Sequence, residues 1–590
     1  MKEKANGSES MEREAECASE SRLAGAERTV LRRTDSLAKR FLMTTFVGLL
    51  LVSNIGIVQA AESLEKVLGR VPIQQGGRVK PFASFAKESV LFITAKTSFD
   101  HQDPTTLVWH WMAEPSVWNA KPILPVTYLE LRKQFASDLI HNRIAPALVL
   151  SDLEFKKQVS AAQIKQETEK SASPLEKKQI ELYQRARFFE EIANARMPGF
   201  VPHPNDPKIA WLPLEAFMDQ QGIHVAAQLY PQSEVERLAS ALRLLLDRLK
   251  SEKAGEAMIA AESFAQNLGH LLASQDMILD KRAMDMEFFY LKLRPFQLAW
   301  ILYLISIFIW LAPNKKKKVE LFAFGIFSLA FFVHTFGFVL RIIIAGRPPV
   351  TNMYESIIWV SWASAFFSLI FWFFYRSTLL PAIAASVATF ALIIGESFPT
   401  FLDPSISPLV PVLRSNYWLT IHVLTITLGY GAFLFNWGIA HALLYCSAFH
   451  KKKETIDRLT EYLYRSLQVG VILLASGTIL GGVWAAESWG RFWGWDPKET
   501  WALIAVLAYL AVLHSRTAGW LGAFGVAFWS VISFLTVLMA WYGVNFVLGA
   551  GLHSYGFGGG GLPYILAFVL SDVCLVLWLA QRFKLKPSHH

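Results

Sequence analysis

Apolar and polar positions change their spacing sharply near residue 296. Beyond it lie nine apolar runs long enough to cross a bilayer, at about 295–313, 319–340, 356–375, 379–394, 417–449, 467–484, 500–513, 520–544 and 562–580. Before it, shorter amphipathic pieces alternate with charged ones. Residues 233–250 carry leucines at helical spacing behind an expected capping box of Ser233 and Glu236. Residues 155–187, rich in Lys, Glu and Gln, read as a solvated helical pair broken near Pro174. Closer to the start, Arg32, Arg33, Lys39 and Arg40 precede the apolar run 41–58, and Val58, Gln59 and Ala60 offer a processing site. The fold class expected is an all-α polytopic membrane protein, with about nine transmembrane helices after a signal peptide or signal anchor. Its N-terminal domain would be mainly helical and extracytoplasmic. The divisions are a disordered N-region at 1–40, a signal segment at 41–60, a soluble domain at 61–294 and a multi-span domain at 295–590.

Charge fixes the orientation. The formal charge of +9 would suggest nucleic acid in a soluble protein, but Lys and Arg gather at 315–318, 376, 451–453, 516 and 582–586. Those are alternate loops, so all five face the cytoplasm and no nucleic-acid partner is expected. The soluble domain and the loops 345–355, 396–416, 484–500 and 545–561 then lie outside. Only Cys17, Cys446 and Cys574 occur, without a Cys-x-x-Cys pair, which excludes a disulfide framework and thiol-redox chemistry.

One outer loop holds WGRFWGWDPKETW, from Trp489 to Trp501. Tryptophans at a membrane edge often serve only as interfacial anchors, and Asp496, Pro497 and Glu499 have the spacing of a helix start. Two histidines change the picture: His422, just inside the outer end of its span, and His553, in the outer loop after the eighth span. Paired imidazoles suit a low-spin haem iron, indoles suit the flat macrocycle, and Arg347, Arg414 and Arg491 could meet its propionates. The glycine-rich flanks of His553 favour an adaptable loop. Zinc fits less well, since no local His-x-x-x-His or carboxylate-histidine cluster is present and the two histidines are far apart in sequence. On the cytoplasmic side, His514 ends the seventh span, where an ionisable group suggests function. A second axial ligand there could be His441 or come from another chain. His334 suits less, because fifteen residues from Val319 carry it about 22 Å along its helix.

The tryptophan segment, with Trp489, Trp493, Trp495, Asp496, Glu499 and Trp501 in place, resembles the WWD signature of haem-handling proteins in cytochrome c maturation. Three stretches narrow the likeness: Asn416 to His422 with Leu428-Gly429-Tyr430, then Leu513 to Arg516, then Gly551 to Gly556. Over about 325–580 the chain resembles the CcsA (ResC) family of system II cytochrome c synthases. The resemblance implies haem b bound by His422 and His553 beside those tryptophans, with Asp496 and Glu499 in the binding segment, and an inner site at His514. It also implies a ResB (CcsB)-like subunit supplying the second inner ligand, an apocytochrome c client carrying Cys-x-x-Cys-His, and thiol-reducing proteins as indirect partners. The expected location is the bacterial inner membrane. The chain would then be part of a thioether-forming haem lyase, presenting haem without a catalytic residue of its own. The segments Val71 to Gln74 and Gly77 to Pro81 are similar to part of the extracytoplasmic region of fused forms. Other readings are a b-type electron-transfer subunit, a transporter without haem, or a WWD protein of another maturation system. Histidines on loop-lined surface disfavour the electron-transfer subunit, and the lack of paired broken helices disfavours the transporter.

Overall fold

The computed structural model describes residues 63–169, 172–204, 209–251, 253–273, 280–313, 316–409, 415–449, 451–549 and 561–584. The signal segment, Cys17, Arg414 and His553 lie outside the described residues.

The N-terminal part is mostly helical, as its amphipathic pieces lead one to expect, and it also holds two small sheets. The sequence Pro72–Pro81 folds as an antiparallel hairpin of β1 (Pro72–Gln75) and β2 (Arg78–Pro81), with Ile73 opposite Lys80 and Gln75 opposite Arg78. Its two-residue turn is Gly76-Gly77, at φ +59° and +78°, a conformation that glycine adopts without a Cβ penalty. Further along are β3 (Leu124–Pro125) and β4 (Arg143–Ile144), which pair with each other. β5 (Gly199–Val201) and β6 (Leu212–Pro213) complete a four-stranded sheet in the order β2-β1-β5-β6.

Two helix expectations are refined. The pair near Pro174 is Leu153–Glu169 and Pro174–Ala193, the second opened by a full capping box of Ser173 and Glu176. It is not merely solvated, because Ile180, Leu182, Ala186, Phe189 and Ile192 enter the core with Trp109, Trp111 and Phe200. The expected box at Ser233 does not form. That helix begins one residue earlier, at Gln232, so Ser233 already lies in the first turn, and Glu236 accepts instead from Gln232 Nε2 at 2.7 Å.

Nine helices are long and apolar enough to cross a membrane among the described residues. The first follows Lys281–Leu293 through Arg294, in the left-handed region at φ +46°, and runs Pro295–Leu311. The others are Lys317–Ala345, Met353–Tyr375, Leu379–Ser397, Asn416–Ala448, Lys453–Trp489, Pro497–Thr517, Ala523–Leu548 and Leu562–Lys584. The sixth is much longer than its apolar run, because the charged, amphipathic residues from Lys453 onward stay helical and bury Leu459, Leu463 and Leu467. The chain is thus a multi-pass, all-α membrane protein with its own apolar core, built on Tyr303, Ala363, Phe433 and Tyr509.

Successive crossings bring the Ala345, Met353, Ser397, Asn416, Trp489, Pro497, Leu548 and Leu562 ends to one face. A buried ion network stiffens this face. Fully buried Arg341 gives Nη2 to Glu355 Oε1 at 2.7 Å and Nη1 to the Pro404 carbonyl at 3.0 Å, while Thr351 N donates to the other oxygen of Glu355. Removing the Glu355 carboxylate would leave buried Arg341 without its counter-charge, at a cost of roughly 3–5 kcal/mol.

Candidate functional site

His422 stands on a π-helical turn, Leu419–Val423, inserted between the short start Asn416–Trp418 and the long helix Leu424–Ala448. Such insertions widen a helix and re-aim a side chain, and they concentrate at functional positions. The ring Nδ1 lies 2.8 Å from the carbonyl oxygen of Gly477 on the sixth span. A carbonyl only accepts, so Nδ1 carries the proton and Nε2 carries the lone pair. That is the tautomer a metal-ligating imidazole needs.

The sixth span makes room for this ring. Gly477 and Gly481 lie one turn apart. A Cβ on Gly477 would stand 2.7 Å from the Ile426 backbone, and one on Gly481 would stand 2.6 Å from His422 Cε1. Trp484, one turn further, meets the imidazole edge to face at 5.6 Å. The Trp418 ring runs parallel to it at 6.5 Å, held by Nε1 donating to Glu487 Oε2 at 2.8 Å. Gly477, Gly481, Trp484, Trp418 and Glu487 therefore belong with His422. Sequence reasoning gave none of them a role, although the small-residue spacing of Gly477 and Gly481 was a usable sign of close helix approach.

The tryptophan loop follows. The helix ends at Trp489 with Gly490 in the left-handed conformation, φ +69°, and the Arg491 guanidinium lies 5.7 Å from the centre of the Trp489 ring. Phe492 packs where a Cβ on Gly482 would fall. Trp493 and Trp495 stand perpendicular, their centres 5.9 Å apart. Trp495 has φ +57°, a rare conformation for a bulky residue, and its side chain is 69% exposed. Glu499 holds the loop in that shape: its carboxylate accepts from Arg491 (3.1 Å), Gly494 N (2.8 Å) and Asp496 N (3.2 Å). Asp496 caps the seventh span, with Pro497 at its first position, so the capping box read from the sequence is present. Trp501 is the fifth residue of that helix, just past its first turn. Lys498 Nζ reaches Asn545 Oδ1 at 3.3 Å, tying the loop to the π-helical end Met539–Leu548 of the eighth span.

The remaining candidates fall elsewhere. Arg347 and Arg491, expected opposite propionates, are in ion pairs with Glu355 and Glu499. Burial draws the Arg347 pKa down from its usual value. His514 is exposed at the far end of the seventh span, its Nδ1 2.8 Å from the Leu510 carbonyl, so Nε2 again holds the lone pair. Fifteen residues separate it from Glu499, about 22 Å of helix, so it belongs to a different locus from the tryptophan loop. His441, considered as its companion, has Nδ1 2.9 Å from the Trp437 carbonyl, and its Nε2 lies 2.9 Å from Asp572 Oδ1, within ion-pair distance but outside hydrogen-bond geometry; that acid also takes the Trp437 indole N–H. His334 is fully buried, with Nε2 3.1 Å from the Ile358 carbonyl.

Comparison with known proteins bears on the same region. Residues 350–553 match the family model described as Cytochrome C assembly protein. The chain is similar to Protein NrfI of Wolinella succinogenes, 28% identical over 524 residues, which cover 85% of this chain and 55% of NrfI. It thus spans little more than half of that relative. It is 34% identical over 291 residues to the cytochrome c biogenesis protein CcsA of Guillardia theta, covering 44% of this chain and 93% of the relative. The CcsA of Prochlorococcus marinus strain MIT 9301 is 34% identical over 289 residues, covering 43% and 90%.

Proposed function

The chain belongs to the CcsA family of cytochrome c biogenesis proteins, and on that footing we propose that it holds haem b at the face of the tryptophan loop and presents it for covalent attachment to apocytochrome c. One observation supports this reading: the hydrogen bond of His422 Nδ1 to Gly477, which puts the lone pair on Nε2 as an iron ligand needs, beside Trp418 and Trp484. His553 is the proposed second ligand. Trp489, Trp493, Trp495 and Trp501 supply flat apolar surface, while Asp496 and Glu499 hold their loop.

Haem is the cargo in this scheme. It enters near His514 with a second ligand from a ResB-like subunit, moves outward, and is gripped by the two outer imidazoles with its vinyl groups toward the loop. An apocytochrome presenting reduced Cys-x-x-Cys-His then adds each thiol across a vinyl. The sulfur bonds to one vinyl carbon, the proton ends on the other, and the client histidine displaces one ligand. The chain contributes placement and ligation, and no nucleophile. The membrane would be the bacterial cytoplasmic membrane, with the loop on its outer side.

The test is to purify the full chain with and without a ResB-like partner and record its absorption spectrum. His422→Ala and His553→Ala should each lower bound haem and abolish holocytochrome production. Unaltered haem and maturation in both variants would overturn the assignment. His514→Ala should lower outer loading too, and normal loading there would mean that haem arrives by another route.

A further inference from the structure

Apart from the histidine site, a cavity of about 550 Å³ lies between the N-terminal helices and the ends of the first, third and fourth spans on the tryptophan-loop face. Three cations line it: Lys87 on helix Phe82–Thr94, Arg185 on helix Pro174–Ala193, and Arg294 where the first span begins. Its carboxylates already have partners. Glu287 takes both nitrogens of Arg78 at 2.7 Å and Ser84 at 2.6 Å, Glu88 pairs with Lys80, Glu396 accepts from Tyr354, and Asp403 accepts from Ser405.

The donors are less well served. Arg185 gives only Nη2 to a carboxylate, Glu181 at 2.6 Å, while its buried Nε and Nη1 have no partner among the described residues. Ser89 Oγ, also lining the cavity, is buried without one. Burial, with Arg294 nearby, draws the pKa of Lys87 down, as expected for an ammonium held away from water without full compensation. Buried polar groups left unmet call for an explanation, and here each of them can donate. Much of the remaining lining is apolar or aromatic, notably Phe92, Phe188, Tyr290 and Phe296, with Gln75, Thr97 and Thr400 among it.

We propose that this cavity binds an organic anion with an apolar body, its carboxylate or phosphate head between Arg185 and Lys87 and its body against Phe188, Tyr290 and Phe296. The volume falls within the ~300–1,000 Å³ of sites for small organic ligands. An acceptor at Arg185 would take a charge-assisted hydrogen bond from Nε or Nη1, both of which the described residues leave unmet. This site uses no residue of the haem reading and stands without it.

The test is native mass spectrometry of the full chain in neutral detergent, titrated with three probes: dihexanoyl phosphatidylglycerol, its zwitterionic phosphatidylcholine counterpart, and metal-free protoporphyrin IX, which has no iron for His422 to ligate. At least one anionic probe should bind at one equivalent, ten times or more tighter than the phosphatidylcholine. The two anionic arms separate a lipid headgroup from a tetrapyrrole carboxylate. The double variant Lys87→Gln with Arg185→Gln should bind that probe at least tenfold more weakly. Leu91→Trp, which fills the cavity and keeps both charges, should lose it as well. Failure of both anions to bind, equal binding of the zwitterion, or unchanged binding in the double variant and in Leu91→Trp overturns the proposal.

Discussion

Gly481→Ala perturbs the His422 seat without touching its chemistry. The added methyl would fall 2.6 Å from His422 Cε1, whereas carbon atoms rest about 3.5–4.0 Å apart, so the ring must retreat by about 1 Å. It can rotate and lose the 2.8 Å bond that sets its tautomer, or the two spans can part; either way Nε2 moves. Loss of such a supporting contact costs about 10–100-fold in metal affinity, or about 1.4–2.8 kcal/mol. Alanine in a helix interior gains about 1 kcal/mol over glycine, which acts in the opposite direction on helix stability. The expected result is therefore a split: haem retention falls by at least tenfold while the thermal midpoint changes little. Gly325→Ala, at a glycine with nothing within 4 Å of the added Cβ, serves as the control and should leave haem unchanged. The assay is haem per protein in the purified chain, from the pyridine haemochrome spectrum, beside a thermal melt. Full haem retention in Gly481→Ala would refute the geometry argued for His422.

Three further outcomes are expected. Glu499→Gln weakens the pair with Arg491 and disturbs the acceptor of Gly494 and Asp496, costing about 1–2 kcal/mol of local order. Hydrogen exchange at residues 490–496 should quicken in that variant, with haem retention falling alongside. His441→Ala leaves buried Asp572 with only the Trp437 indole N–H and should lower the thermal midpoint, whereas His441→Gln, whose amide nitrogen takes the place of Nε2, should restore part of it, with haem loading unaffected in both. Glu176 is held below its usual 4.5, chiefly by the backbone N–H of Ser173 and then by Lys165. A depressed acid contributes stability above its unfolded pKa and loses it as pH falls through the folded value. The wild-type melting temperature should therefore drop more steeply than that of Glu176→Gln between roughly pH 5 and 3.

What the sequence makes legible here is what is local. The apolar runs give nine spans because length and hydropathy are read in one window, and the box at Asp496 and Glu499 is legible because its partners are three residues apart. The Lys453 end of the sixth span is hidden because 453–466 is amphipathic and carries too much charge to look like membrane. The β1–β2 hairpin is hidden because four-residue strands show too few alternations, although Gly76-Gly77 marks its turn. Long-range pairings leave no local trace. His422 meets Gly477 across 55 residues, and His441 meets Asp572 across the whole second half of the membrane domain. Arg491 and Glu499 lie only eight residues apart, but the irregular loop that brings them together has no periodicity to read, so Arg491 is taken as open to a ligand when Glu499 already holds it.

The sixth span has one more consequence. Its 37 residues form a single unbroken helix of about 55 Å, against a hydrocarbon thickness of about 30 Å. That is about 25 Å more helix than the apolar layer takes up, and the charged turns from Lys453 form the surplus, while the other end carries Gly477, Gly481 and Trp484. The wall of the imidazole seat and those charged turns are therefore parts of one continuous helix, and a rigid displacement of either end would carry the other with it.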